Sequence, residues 1–224
     1  MKELPNFSEF EQRARVIFEA IPGEFRDGIS VLVVHQKRVP HPHLDDYETL
    51  GECETDFLSD PADLRSRIHI YFGSFTKLAR GDDGFDWEWE LKETIEHEIR
   101  HHLEDRAGLP DLEKQDWAEE QNVMRAAGKS YDPLFYRAGE ERERDEFWVD
   151  HDCFLEVRLS RRQLLRIAGK LHAVTFGEQV FDVLVPAQGG EVRYVNIDGG
   201  WVDDDGNAGG LFVVFVTPRV WIKK

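Results

Sequence analysis

The chain has 224 residues, 41% hydrophobic, 33% charged and 12% aromatic, a composition that excludes general disorder. Its 45 acids against 28 bases give a net charge of -17, which repels nucleic acid and anionic membrane surfaces and argues against either as a partner. The two cysteines, Cys53 and Cys153, lack CxxC spacing and read as free thiols in a reducing compartment. The opening stretch MKELPNFSEFEQRA has no apolar h-region, and no run of about 18 apolar residues follows, so a cytoplasmic protein is expected.

In chain order, Phe10, Ala14, Ile17 and Phe18 repeat at helical spacing, with Ser8 as the expected N-cap and Pro22-Gly23 as the stop. ISVLVVH, Ile29 to His35, is a β-branched run and reads as a strand. The stretch from Gln36 to Leu64, rich in prolines and acids, reads mostly as loop. RIHIYFG, Arg67 to Gly73, alternates and reads as a second strand. A short helix, a Gly/Asp turn and a long helix ending at Gly108 follow, glycine suiting the C′ position. Residues 113–148 are highly charged and predict one or two surface helices. After them the texture changes to short β-rich runs, LHAVTF, QVFDVLVP, EVRYVNIDG and LFVVFVTPRVWI, separated by Gly-, Asp- and Asn-rich turns. The expected class is α+β, with a helix-rich domain over 1–145 and a small all-β domain over 146–224.

The long helix carries His97-Glu98-Ile99-Arg100-His101, an H-E-x-x-H sequence. Side chains four apart share a helix face, so two imidazoles can hold one metal ion. The glutamate between them can take a proton from a metal-activated water. At about 100° per residue, His97, His101 and Glu104 fall on one side, and Ile95, Ile99 and Leu103 on the other. The competing reading of the pentapeptide alone is a solvated helix with incidental histidines. His102 reads as a packing or supporting residue. His41 and His43 read as a solvated loop pair, and Trp87, Trp89 and Trp117 as core packing near the motif.

The segment from Phe7 to Asp111 resembles the small zincin-like metallopeptidases of bacteria. The matching stretches are FEQRARVIFEAIPGEFRDGISVLVV, TLGECE, RIHIYFGSFTKLA and TIEHEIRHH, in the order helix, strand, loop with LG, strand, motif helix. The resemblance implies a zincin fold, a small mixed sheet packed on the active-site helix. It implies Zn2+ as cofactor, His97 and His101 as ligands, Glu98 as general base, and a peptide or unfolded protein as substrate. The family places glycine three residues after the second histidine, where this chain has Glu104. A G-x-x-D pattern appears instead at Gly108 to Asp111, displaced by about one helical turn. Asp111 keeps the glycine relation and is the first choice for third ligand. Asp116, Glu119 or Glu120 are the alternatives, reaching back from a following helix, whereas Glu104 and Asp105 lie too far along the same helix.

From Cys153 to Pro218 the chain resembles the C-terminal substrate-binding domain of DnaJ-type co-chaperones. The counterparts are LSRRQLLRIAG, TFGEQVFDVLVP, YVNIDGGW and AGGLFVVFV. This implies a small β-sandwich that binds extended polypeptide or pairs two copies into a homodimer. DDDGN, Asp203 to Asn207, lacks the acid that a calcium loop needs and reads as a hairpin turn. The alternative to a peptidase is a zincin-scaffold adaptor that binds polypeptide without turnover.

Overall fold

The computed structural model describes residues 5–45, 47–56, 64–82, 84–109, 111–197, 202 and 206–217. The chain clusters into two units, Met1–Glu113 and Lys114–Lys224. Both mix helices and strands, so the α+β expectation holds. Among the described residues, no helix is long and apolar enough to cross a membrane.

The first unit opens with α1, Phe7–Ala20. Its cap is Asn6 rather than Ser8: the Asn6 side chain accepts the Glu9 N–H, and the Glu9 carboxylate accepts the Asn6 N–H, a reciprocal capping box. A short α2, Gly23–Arg26, leads to β1, Ile29–His35, the strand expected from its β-branched run. β2, Gly51–Asp56, forms where the composition predicts loop, and β3 covers Arg65–Tyr71. The three strands order β1-β3-β2, with β1 parallel and β2 antiparallel to β3. α3, Phe72–Gly81, and α4, Trp87–Ala107, complete the unit.

The sheet sorts its side chains by the two-residue period of a strand. Ser66, Ile68 and Ile70 are buried, while Arg67 and His69 stay partly exposed. Ile68 and Ile70 join Leu32 of β1, Phe10, Ala14 and Ile17 of α1, and Leu91, Ile95 and Ile99 of α4 in one core. β2 escapes the sequence pattern because its alternating partners are Gly51, Cys53 and Thr55 against Glu52, Glu54 and Asp56. An acidic edge strand with small inner residues lacks the β-branched signature, yet it satisfies backbone pairing and keeps charges in water.

The second unit contains α5, Asp111–Ala126, from its fourth residue onward. A 3-10 turn, Phe135–Ala138, follows. Then come β4 (Glu140–Glu143), β5 (Glu146–Val149), β6 (Asp152–Arg158), α6 (Arg161–Ile167), β7 (Leu171–Phe176), β8 (Gln179–Leu184), β9 (Val192–Ile197) and β10 (Leu211–Val216). One sheet orders β4-β5-β6-β10-β9, and β7 and β8 form a separate hairpin. β10 reads LFVVFV and is buried at every position. Leu211, Val213 and Phe215 face one core with Leu164 of α6 and Val174 and Val183 of the hairpin. Phe212, Val214 and Val216 face a second core with Ala118, Phe135 and Tyr136. A strand covered on both faces has no polar side to show, which accounts for the unbroken apolar run.

Two expectations shift here. The charge pattern of RAGEERERDEFW predicts helix, but the segment forms the β4–β5 hairpin, with Asp145 left-handed at the turn (φ 65). β4 is an edge strand exposed along its length, where charge is tolerated. The unit division at 113/114 also precedes the 145/146 division expected from the sequence, because Ala118, Phe135 and Tyr136 pack against the sheet. The unit therefore includes helices and is not all-β. Asp203 to Asp205 lie outside the described residues, although Val202 and Ala208 bridge antiparallel on either side.

His102, fully buried, ties α4 to the loop before β1: its Nε2–H donates to the Asp27 carbonyl at 2.8 Å and its Nδ1 meets the Ser66 hydroxyl at 2.7 Å. Burial is the chief cause holding its pKa below 6.5, and the Asp27 hydrogen bond opposes it. The folded state then takes up this proton at lower pH than the unfolded chain, so the contribution is complete above 6.5 and fades as pH falls. Amide exchange of α4 in wild type and His102→Gln checks this. The protection lost by the variant should be largest near pH 7 and shrink towards about pH 5; a difference that grows on acidification would contradict it.

Candidate metal centre

Asp86 starts α4 by accepting the N–H groups of Glu88 and Trp89 at 3.1 and 3.2 Å. Gly108 ends it in the left-handed region (φ 68, ψ 30), donating to the Glu104 and Asp105 carbonyls. Between these caps the helix runs unbroken, so its 3.6-residue period fixes which side chains meet. Leu91, Ile95 and Ile99 enter the core, and Glu98 is buried at 6% exposure. His97 and His101 stay half-buried. Their Nε2 atoms lie 3.1 Å apart, within hydrogen-bond reach, and their rings sit edge to face at 4.7 Å.

The third acid comes from the corner after α4. The Glu104 carboxylate accepts the Leu112 N–H at 2.6 Å, which pins the first turn of α5 to α4. Asp116 stands one turn beyond Leu112 on the same helix. One nitrogen from each of His97 and His101 and one carboxylate oxygen of Asp116 lie within 4.8 Å of one another, and all three residues are half-buried. Asp111 is not in that group. It is exposed in the first turn of α5, where a carboxylate favours the helix dipole. Five residues along the helix, Asp116 is turned by about 140° and advanced by about 7.5 Å. Glu120 lies a further turn along and is likewise outside the group, and the Glu119 carboxylate accepts from Gln115 at 3.0 Å.

Two imidazoles and a carboxylate form a donor set suited to zinc, three of the four ligands of a tetrahedral ion. Tetrahedral coordination at about 2.0–2.1 Å spaces two nitrogens by about 3.3 Å. The observed 3.1 Å separation fits a single ion between the histidines with little movement.

β2 approaches α4 closely at Gly51. A Cβ placed there would stand 2.7 Å from Thr94 Cγ2, 2.9 Å from Glu98 Oε1 and 3.0 Å from Glu98 Cγ. Glycine therefore lets the strand backbone lie over the Glu98 carboxylate. Two residues along, burial is the chief cause raising the Cys53 thiol, and the charges of Glu98 and Asp105 add to it. Cys53 is thus held as a thiol rather than a thiolate ligand. On the opposite face, Tyr71 donates to Glu52, and burial first, then that bond and nearby carboxylates including Glu98, push its phenol well above the ordinary value. His69 bridges Glu54 at 3.1 Å and His35 at 2.9 Å.

The structure brings His97, Glu98 and His101 onto α4 as expected and joins Asp116, an expected alternative, to the two histidines. His41 Nδ1 accepts the His43 N–H at 3.3 Å and the Leu44 N–H at 3.2 Å. Trp87 is in the core, whereas Trp89 and Trp117 are exposed. Asp105 accepts from Thr55 at 2.7 Å, and Glu104 holds the corner. The Gly51 approach is a contact between distant elements that sequence reasoning misses, although the glycine opens the alternating GECETD pattern.

No family model matches the chain, and no curated protein matches it. It is similar to a solved structure described as a conserved hypothetical protein from Thermo thermophilus, at 32% identity and a TM-score of 0.41. That likeness covers 46% of this chain and 98% of the other. Its description names no activity.

Gly51→Ala forces a methyl group against Thr94 and Glu98. Overpacking of this kind costs about 1–3 kcal/mol. Denaturant titration followed by α4 amide exchange should show that loss, and Gly81→Ala, where a Cβ meets nothing, should show much less. Equal effects at the two positions would refute the close approach.

Proposed function

We propose that the chain is a zinc-dependent metallopeptidase of the zincin type, hydrolysing peptide bonds in an extended polypeptide. The observation that carries this reading is the grouping of His97 and His101, on the helix that buries Glu98, with Asp116 of α5. His97, His101 and Asp116 would hold the ion. When bound, zinc acidifies a water and polarises a carbonyl.

The chain's own residues divide the remaining work. Glu98, buried and adjacent to His97 in sequence, takes the proton from the attacking water and returns it to the departing amine. Gly51 keeps the β2 backbone close to that carboxylate, which limits the space open to water. His97 and His101 would each offer a ring nitrogen to the metal, held one helical turn apart on α4.

The second unit fits a polypeptide-binding role of the DnaJ C-terminal kind, with the hairpin offering Leu171, Val180 and Leu184 at 60% exposure or more. The same strands would serve if two copies pair into a homodimer. A second reading, an adaptor that binds polypeptide without turnover, is favoured by Glu104 standing where the resembling family has glycine.

Untagged protein should contain about one zinc per chain. Glu98→Gln should retain that zinc and lose peptide cleavage by about 10²–10⁴-fold. Asp116→Asn should weaken zinc binding, while Asp111→Asn leaves it unchanged. Absence of zinc, or wild-type cleavage by Glu98→Gln, would sink the peptidase reading. Full zinc content with no cleavage by wild type across a set of unfolded substrates would favour the adaptor.

A further inference from the structure

The other side of α4 carries a separate feature. Ile99 and Leu103 each follow a motif histidine by two residues, about 200° round the helix. With Val16, Ile17 and Phe25 from the N-terminal helices, they wall an open groove of about 610 Å³. Small-molecule sites span about 300–1,000 Å³, and the groove falls within that range. Val16 and Phe25 are 47% and 44% exposed, so apolar surface is left facing the groove.

The charges around the groove do not cancel. Arg13 pairs with Glu88, and Lys92 pairs with Glu96 at 3.0 Å. Arg100, which also lines the groove, is exposed and makes no ion pair with any described residue. One uncompensated guanidinium thus stands beside an aliphatic surface, in a chain of net charge -17. A neutral hydrocarbon would cover the apolar walls and leave Arg100 without a partner. A ligand with an aliphatic body and one carboxylate would satisfy both, through a charge-assisted and bidentate pair.

We propose that this groove binds a medium-chain aliphatic carboxylate, its chain against Val16, Phe25, Ile99 and Leu103 and its carboxylate on Arg100. The site is independent of the metal face, so its test does not depend on peptidase activity.

The test is calorimetric titration of chelator-treated full-length protein with decanoate and with decan-1-ol, both below their aggregation concentrations. Decanoate should bind at least about tenfold more tightly than the alcohol, the scale of one added charge-assisted hydrogen bond. Arg100→Gln should remove that preference while retaining weak binding of both. Val16→Trp should fill the groove and remove binding of both, at an unchanged thermal midpoint because Val16 is exposed. The proposal is overturned if wild type binds neither compound, which would leave the groove to a macromolecular partner. It is equally overturned by equal affinities, by a preference that survives Arg100→Gln, or by wild-type binding in Val16→Trp.

Discussion

Glu98 lies buried beneath the backbone of Gly51, between two histidines that remain half-exposed one helical turn apart. That contrast constrains the rest of the first unit. A carboxylate is taken out of water only where surrounding groups or chemistry justify it, and here a strand backbone passes within contact of it. The helix period then decides everything around it: Ile95 and Ile99 turn to the core, His97 and His101 to the open side, and His102 to the loop before β1. The strand order β1-β3-β2 puts Gly51 at the edge that meets α4.

The corner after α4 has the second say. Gly108 reverses the chain in a left-handed conformation, and Glu104 anchors the first turn of α5 through the Leu112 N–H. A residue that stands where the resembling family has glycine therefore acquires a structural task. It holds the first turn of α5 in place. Asp116, not Asp111, groups with the two imidazoles.

How far the sequence reaches depends on which residues carry the information. Helical and strand periods locate α1, β1, α4 and the buried β10, because apolar spacing records burial directly. The H-E-x-x-H spacing places His97, Glu98 and His101, because four residues on a helix is a local geometry. The third acid is a contact across a turn, and by chemistry alone Asp111, Asp116, Glu119 and Glu120 are equivalent. β2 and β4 escape the pattern since edge strands rich in glutamate imitate loop and helix composition. The unit division is hidden for a related reason: Phe135 and Tyr136 follow a charged stretch yet pack into the sheet's core.

The central claim is that His97, His101 and Asp116 hold one metal ion. Anomalous diffraction at the zinc edge from crystals grown with zinc tests it most directly. The account predicts a single peak about 2.0–2.2 Å from both histidine Nε2 atoms and from an Asp116 oxygen. A peak bound by Asp111 instead of Asp116, or no peak between the two histidines, would contradict it.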